Sequence, residues 1–144
     1  MRRRAWTLDV ADTGVGMDRY NPEAPPDAED WLALDEGERI QLVEWYHRDA
    51  RVDLPKAART LHASMHVVVE NQLALNDTPV IRALARLMKE GLSRHDAVHA
   101  IRSVVAEHIY DLLKHKDAPE TARARYYAAV ERLTVATWRD NSDD

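Results

Sequence analysis

The stretch from Ser93 to Lys114 constrains the fold more than any other part of the chain. Val98, Ile101, Val104, Val105, Ile109, Leu112 and Leu113 cover most of the circumference of a helix drawn through it. A helix apolar on so many sides has to be surrounded by several others. A chain of 144 residues is large enough to supply one such core. Ser93 offers an N-cap, with Asp96 three residues on as the acid of a capping box. The helix is predicted over about Arg94 to Lys114, as the central one.

The same punctuation places its neighbours. Asp35 and Glu38 form a capping box ahead of a first helix, with Ile40, Leu42, Val43 and Tyr46 on its apolar side, fading near Arg51. Pro55 opens a second helix that runs to about Leu75, with Leu61, Met65, Val68 and Val69 as its core stripe. Asn76-Asp77-Thr78-Pro79 stops that helix and starts a third, on which Ile81, Leu84, Leu87 and Met88 face inward and which Gly91 ends. The Ser93 helix is the fourth. Asp117-Ala118-Pro119-Glu120 begins a fifth, running to about Trp138.

No strand pattern and no internal repeat is evident. The expected fold is all-α: a single-domain bundle of about five helices over residues 34–139, with short turns and mostly antiparallel neighbours. Residues 1–33 carry no helical period; Gly14, Gly16, Pro22, Pro25 and Pro26 break them up, and acids dominate from Asp18 to Asp30. This reads as an irregular acidic arm, ordered only when something binds it. Met17 leaves open whether residues 1–16 are an upstream extension. Residues 140–144 read as a disordered tail.

Four of the seven histidines occur as two pairs spaced by four residues, His62 with His66 and His95 with His99. At 100° per residue that spacing keeps a pair on one helical face, and Glu70 extends the first pair by another turn. Two helices that each present such a pair can enclose a divalent metal, since neutral imidazoles one turn apart share an ion at about 2.0–2.1 Å. The candidate ligands are His62, His66, His95, His99 and Glu70, with His47 closing the site from the first helix. Glu70 is also the candidate catalytic base on a metal-bound water, because Ala63 stands where zinc peptidases carry theirs. His95, in the first turn of its helix, would be an awkward cation against the helix dipole, which favours the neutral form a metal requires. Glu107 is rotated round the helix and is at most a support.

Glu44 and His47 also form an E-x-x-H, but a carboxylate-bridged di-iron bundle needs two copies and two further Glu. The chain contains no cysteine, so any metal is held by nitrogen and oxygen. Zn²⁺ comes first, then Fe²⁺, Mn²⁺ or Ni²⁺. The competing reading is that the histidines tile a wet seam and bind nothing.

From about Trp31 to Lys114 the chain resembles an uncharacterised bacterial family, described only as a domain of unknown function. The segments WLALDEGERIQLVEWYH, LHASMHVVVENQLAL, TPVIRALARLM and GLSRHDAVHAI carry the likeness. The resemblance implies a compact helical fold and makes His47, His62, His66, Gln72, His95, His99 and Glu107 family features, with Arg102 a departure from it where members of the family tend to have a small residue. It implies no activity.

A net charge of −5 argues against a nucleic-acid partner. Of Arg123, Arg125 and Arg132 only the last two share a helical face, which suits a solvated surface. No apolar run reaches the roughly 20 residues of a membrane span. Arg2-Arg3-Arg4 is not followed by the apolar run of an export signal, so a cytoplasmic location is the default. Two functions stay open: a metal-dependent helical protein that uses the ion to activate water, and a non-enzymatic interaction or regulatory module, homo-oligomeric, with Trp45, Tyr46, Tyr126, Tyr127 and Trp138 as candidate anchors. No phosphate loop, nucleophile elbow or cofactor fingerprint names a reaction, and any small-molecule substrate is unknown.

Overall fold

The computed structural model describes residues 17–49 and 55–142. Residues 1–16 and the expected fade near Arg51 lie outside the described residues. Seven helices make up the rest: α1 (Ala28–Ala33), α2 (Glu36–Asp49), α3 (Lys56–Ala74), α4 (Thr78–Lys89), α5 (Arg94–Lys114), α6 (Pro119–Arg132) and α7 (Val135–Ser142). No strand occurs among the described residues, so the fold is all-α. No helix among them is long and apolar enough to cross a membrane.

Helix ends follow local chemistry. Asp35 accepts from the Glu38 amide at 2.7 Å while Glu38 accepts from the Asp35 amide at 2.9 Å, a complete capping box for α2. Ser93 Oγ accepts from the Asp96 amide at the start of α5. Both α3 and α4 end in Schellman turns. At α4 the Leu92 amide reaches back to the Leu87 carbonyl and the Gly91 amide to that of Met88, with Gly91 at φ 112°. Asn76, at φ 59°, plays the same part after α3. Glycine and asparagine are the residues that tolerate this left-handed backbone.

α5 is central as the sequence predicts, packing on α3, α4, α6 and α7, while α3 packs on α1, α2, α4 and α5. The larger core gathers Val69, Val80, Leu87, Val98, Ile101, Val105, Tyr126 and Val130. A second core, of Tyr20, Trp31, Leu42, Val43, Ala63 and Val67, lies against α1 and α2. α3 contributes to both. Tyr126 is buried and donates to Gln72, and Tyr127 donates to Asp77. Of the aromatics considered as interface anchors, Trp45 is exposed.

Two features depart from the expected five helices. Inside the stretch expected to be irregular, Tyr20 is buried and α1 forms; Trp31 is fully enclosed and its indole donates to Asn71. Arg39 supports α1 by donating to the carbonyls of Trp31, Leu32 and Leu34.

The expected fifth helix is also broken at Leu133. Arg86 of α4 donates to the Leu133 carbonyl at 3.0 Å and the Val130 carbonyl at 2.9 Å, ending α6. Glu90 then accepts from the Val135 amide at 2.8 Å, and Thr134 and Thr137 cap one another's amides, starting α7. Arg86→Ala removes two charge-assisted bonds to partly buried carbonyls, for an expected loss of about 1–3 kcal/mol. Urea unfolding measures it, and a change below about 0.5 kcal/mol, the size of an ordinary surface substitution, would show that the break does not depend on Arg86.

Candidate metal centre

Histidines from α2, α3 and α5 meet at one point. The four-residue spacing sets His62, His66 and Glu70 in a row on α3 and His95 and His99 in a row on α5. The two helices run antiparallel. Glu70 meets Arg94; the His66 ring lies 5.9 Å from His95 and 5.5 Å from His99; His62 lies 5.2 Å from His99. His47, near the end of α2, closes the third side at 4.7 Å from His62 and 5.7 Å from His66. One ring nitrogen from each of His47, His66, His95 and His99 lies within 4.8 Å of the others.

Hydrogen bonds decide which nitrogens face inward. His47 Nδ1 lies 2.8 Å from the Val43 carbonyl oxygen, which can only accept, so Nδ1 carries the proton and Nε2 is a bare lone pair. For His66 the assignment passes through three other residues. Its Nε2 lies 2.7 Å from the Tyr20 hydroxyl, which gives its own proton to Glu70 Oε2. The tyrosine oxygen must therefore accept from His66 Nε2–H, leaving Nδ1 as the lone pair. Arg94 clamps Glu70 in turn, Nη2 to Oε1 at 2.8 Å and Nη1 to Oε2 at 2.9 Å. Burial, then the Glu70 charge, push the Tyr20 hydroxyl well above the usual phenol range, so it stays a donor. The strap that delivers Tyr20 is tied down further: Arg94 Nη1 donates to the Pro22 carbonyl and Glu23 accepts from the His95 amide.

Five imidazole nitrogens in the cluster are buried without a hydrogen-bond partner among the described residues: His47 Nε2, His62 Nε2, His66 Nδ1, His95 Nε2 and His99 Nε2. Each unpaired buried polar atom costs about 1–3 kcal/mol, and native proteins hold few of them. Converging unpartnered imidazole nitrogens of this kind are what a divalent cation satisfies, each ligand turning a lone pair to it. A tetrahedral ion with bonds of about 2.0–2.1 Å sets its ligands about 3.4 Å apart, so modest ring rotations suffice.

The surroundings keep the rings neutral. Burial, then neighbouring histidines, push His66 down to about 2. Burial, then His95 and Arg102, push His99 down to about 3. Burial, then Arg102, push His62 down to about 4. Burial also lowers His47 and His95.

In the unfolded chain these groups protonate near 6.5, so below that pH the unfolded state binds more protons. Stability is therefore full above pH 6.5 and is lost as pH falls towards the folded values. His66 alone should remove about 2 kcal/mol between pH 7.5 and 5. Urea midpoints of metal-free protein at the two pH values test this; equal midpoints would contradict neutral buried imidazoles.

The structure thus brings together four of the expected ligands, His47, His66, His95 and His99. It leaves out two others. His62 lies beside the group, and Glu70 has both oxygens engaged by Arg94 and Tyr20. Glu107 is exposed. Sequence reading missed Tyr20, Arg94 and Arg102. Arg94 carried one signal, its place beside His95 at the start of an antiparallel helix; Tyr20 carried none.

No curated protein and no solved structure matches the chain. A family described as a domain of unknown function, DUF1841, matches residues 38–132. The matched segment holds His47, His62, His66, Glu70, Arg94, His95, His99 and Arg102, and leaves Tyr20 outside it. A match over well more than half of the sequence makes this chain a member of the DUF1841 family of domains of unknown function.

Proposed function

We propose that this protein binds one divalent metal ion through His47 Nε2, His66 Nδ1, His95 Nε2 and His99 Nε2. The observation that carries the reading is the convergence of four neutral, otherwise unpartnered imidazole nitrogens within 4.8 Å of one another. Arg94, Glu70 and Tyr20 hold His66 in the tautomer it needs, the part that carboxylates and carbonyls commonly play behind metal-bound histidines. Four imidazoles with no carboxylate suit Zn²⁺, Fe²⁺ or Ni²⁺ better than Mn²⁺, which prefers oxygen. What the ion supplies is Lewis acidity towards an oxygen ligand in a further coordination position, a bound water included.

Elemental analysis of freshly purified protein should find about one ion per chain, absent from a His66→Ala, His99→Ala variant that remains folded by circular dichroism. Folded wild-type protein that arrives metal-free and takes up neither Zn²⁺, Fe²⁺ nor Ni²⁺ ends the proposal.

A further inference from the structure

Four of the unpartnered buried nitrogens belong to the proposed ligands; two do not, His62 Nε2 and Arg102 Nε. Arg102 stands three residues beyond His99 and seven beyond His95. At 100° per residue those steps keep it on the same stripe of α5, about 20° from His95 and about 60° from His99 in angle and about one turn further along. The antiparallel register of α3 and α5 runs Glu70 with Arg94, His66 with His95, then His62 with His99. The next level along α5 is Arg102, on the side of His62. Arg102 makes no hydrogen bond or ion pair with any described residue. Its charge also acts on His47, His62 and His99, consistent with that placement.

The local charge is then one-sided. Four neutral imidazoles leave a divalent ion at its full charge, and Arg102 adds another. Glu70, the buried carboxylate behind the cluster, is already matched by Arg94, and Glu23 and Asp96, which act on His95 at the other end, are exposed to solvent. Burying cations without counter-charge is strongly unfavourable. His47 and His66 are buried, whereas His62, His95, His99 and Arg102 are half-buried; the segment of Pro22 and Glu23 is bonded across the Arg94 and His95 end, so the approach from solvent lies at the Arg102 end.

Resting on the four-histidine reading, we infer that the ion takes a small anionic oxygen ligand, a carboxylate or an inorganic oxyanion, one oxygen on the metal and another on the Arg102 guanidinium, with His62 Nε2–H as the second donor. The ligand supplies the missing negative charge and satisfies both remaining nitrogens.

The test uses full-length protein loaded with Co²⁺, whose visible spectrum reports its ligands, titrated with acetate and, separately, with inorganic phosphate. Saturable spectral change is expected with at least one anion, and which one responds identifies the class. Arg102→Met should weaken that binding about 10- to 100-fold, the worth of a hydrogen bond to a charged group, while Co²⁺ stoichiometry is retained. Arg102→Lys should recover part of the loss, because lysine restores the charge without the planar fork. No spectral response to either anion at tens of millimolar, or a response unchanged in Arg102→Met, overturns the inference while leaving the metal site standing. Failure to take up Co²⁺ at all overturns the four-histidine reading, and this inference with it.

Discussion

Glu70→Ala is expected to lower the unfolding midpoint of the metal-free protein by about 10 °C or more. Glu70 is 2 % exposed and Arg94 is 5 % exposed, and they meet through two hydrogen bonds. Removing one member of a buried pair leaves the other charge desolvated and uncompensated, a loss of about 3–5 kcal/mol. For a domain of this size each kcal/mol shifts the midpoint by a few degrees. The same change takes the acceptor from Tyr20, itself enclosed, so its hydroxyl is orphaned as well.

A double variant, Glu70→Leu with Arg94→Met, should lose much less than the sum of the single changes, because packed apolar side chains replace both charges together. Calorimetry of the singles and the double checks this. Additive losses would mean that the two side chains do not act as a pair.

Adding Zn²⁺ to metal-free protein should raise the midpoint by roughly 10 °C once free metal exceeds its dissociation constant about a thousandfold, equivalent to about 4 kcal/mol. Tyr20→Phe should shrink that rise. Phenylalanine fills nearly the same volume, but His66 Nε2 then loses the oxygen that holds its proton, and the ring can present either nitrogen inward. Loss of such an orienting partner typically weakens metal binding about 10- to 100-fold. Isothermal titration of wild-type and Tyr20→Phe protein separates the effect on metal affinity from any effect on folding. Equal affinities would show that Tyr20 serves packing alone. The same binding should weaken as pH falls, since protons compete for the imidazoles the ion needs neutral.

The match between expectation and structure divides by the range of the interactions. Asp35 with Glu38 and Ser93 with Asp96 act across three residues, and the spacing of His62, His66, His95 and His99 is a property of a single turn. Such features can be read from the chain because the helix itself fixes their geometry. The apolar circumference of Ser93–Lys114 likewise announced a central helix, which α5 is as far as Val105, whereas Ile109, Leu112 and Leu113 on its last turns are exposed. That two helices carrying paired histidines would face each other was a shorter inference than it looks, since the histidines flank apolar stripes that must pack.

The use made of Glu70 was not legible in this way. On α3 it continues the histidine row and looks like a ligand. Its occupation by Arg94, 24 residues on, and by Tyr20, 50 residues back, is a contact between distant parts of the chain. Tyr20 lies in a stretch whose prolines and acids suggested no fixed place, and its burial depends on a pocket made by other helices. The break between α6 and α7 is of the same kind, for Arg86 ends one helix from 47 residues away, where local propensity alone would have continued it. The sequence by itself determined α2 to α5, the start of α6 and the faces that carry imidazoles, because those follow from backbone periodicity and neighbouring caps. Only the tertiary structure decided which ring nitrogens turn inward, which carboxylate stands behind them and where a helix stops, because each depends on a hydrogen bond between residues that packing alone brings together.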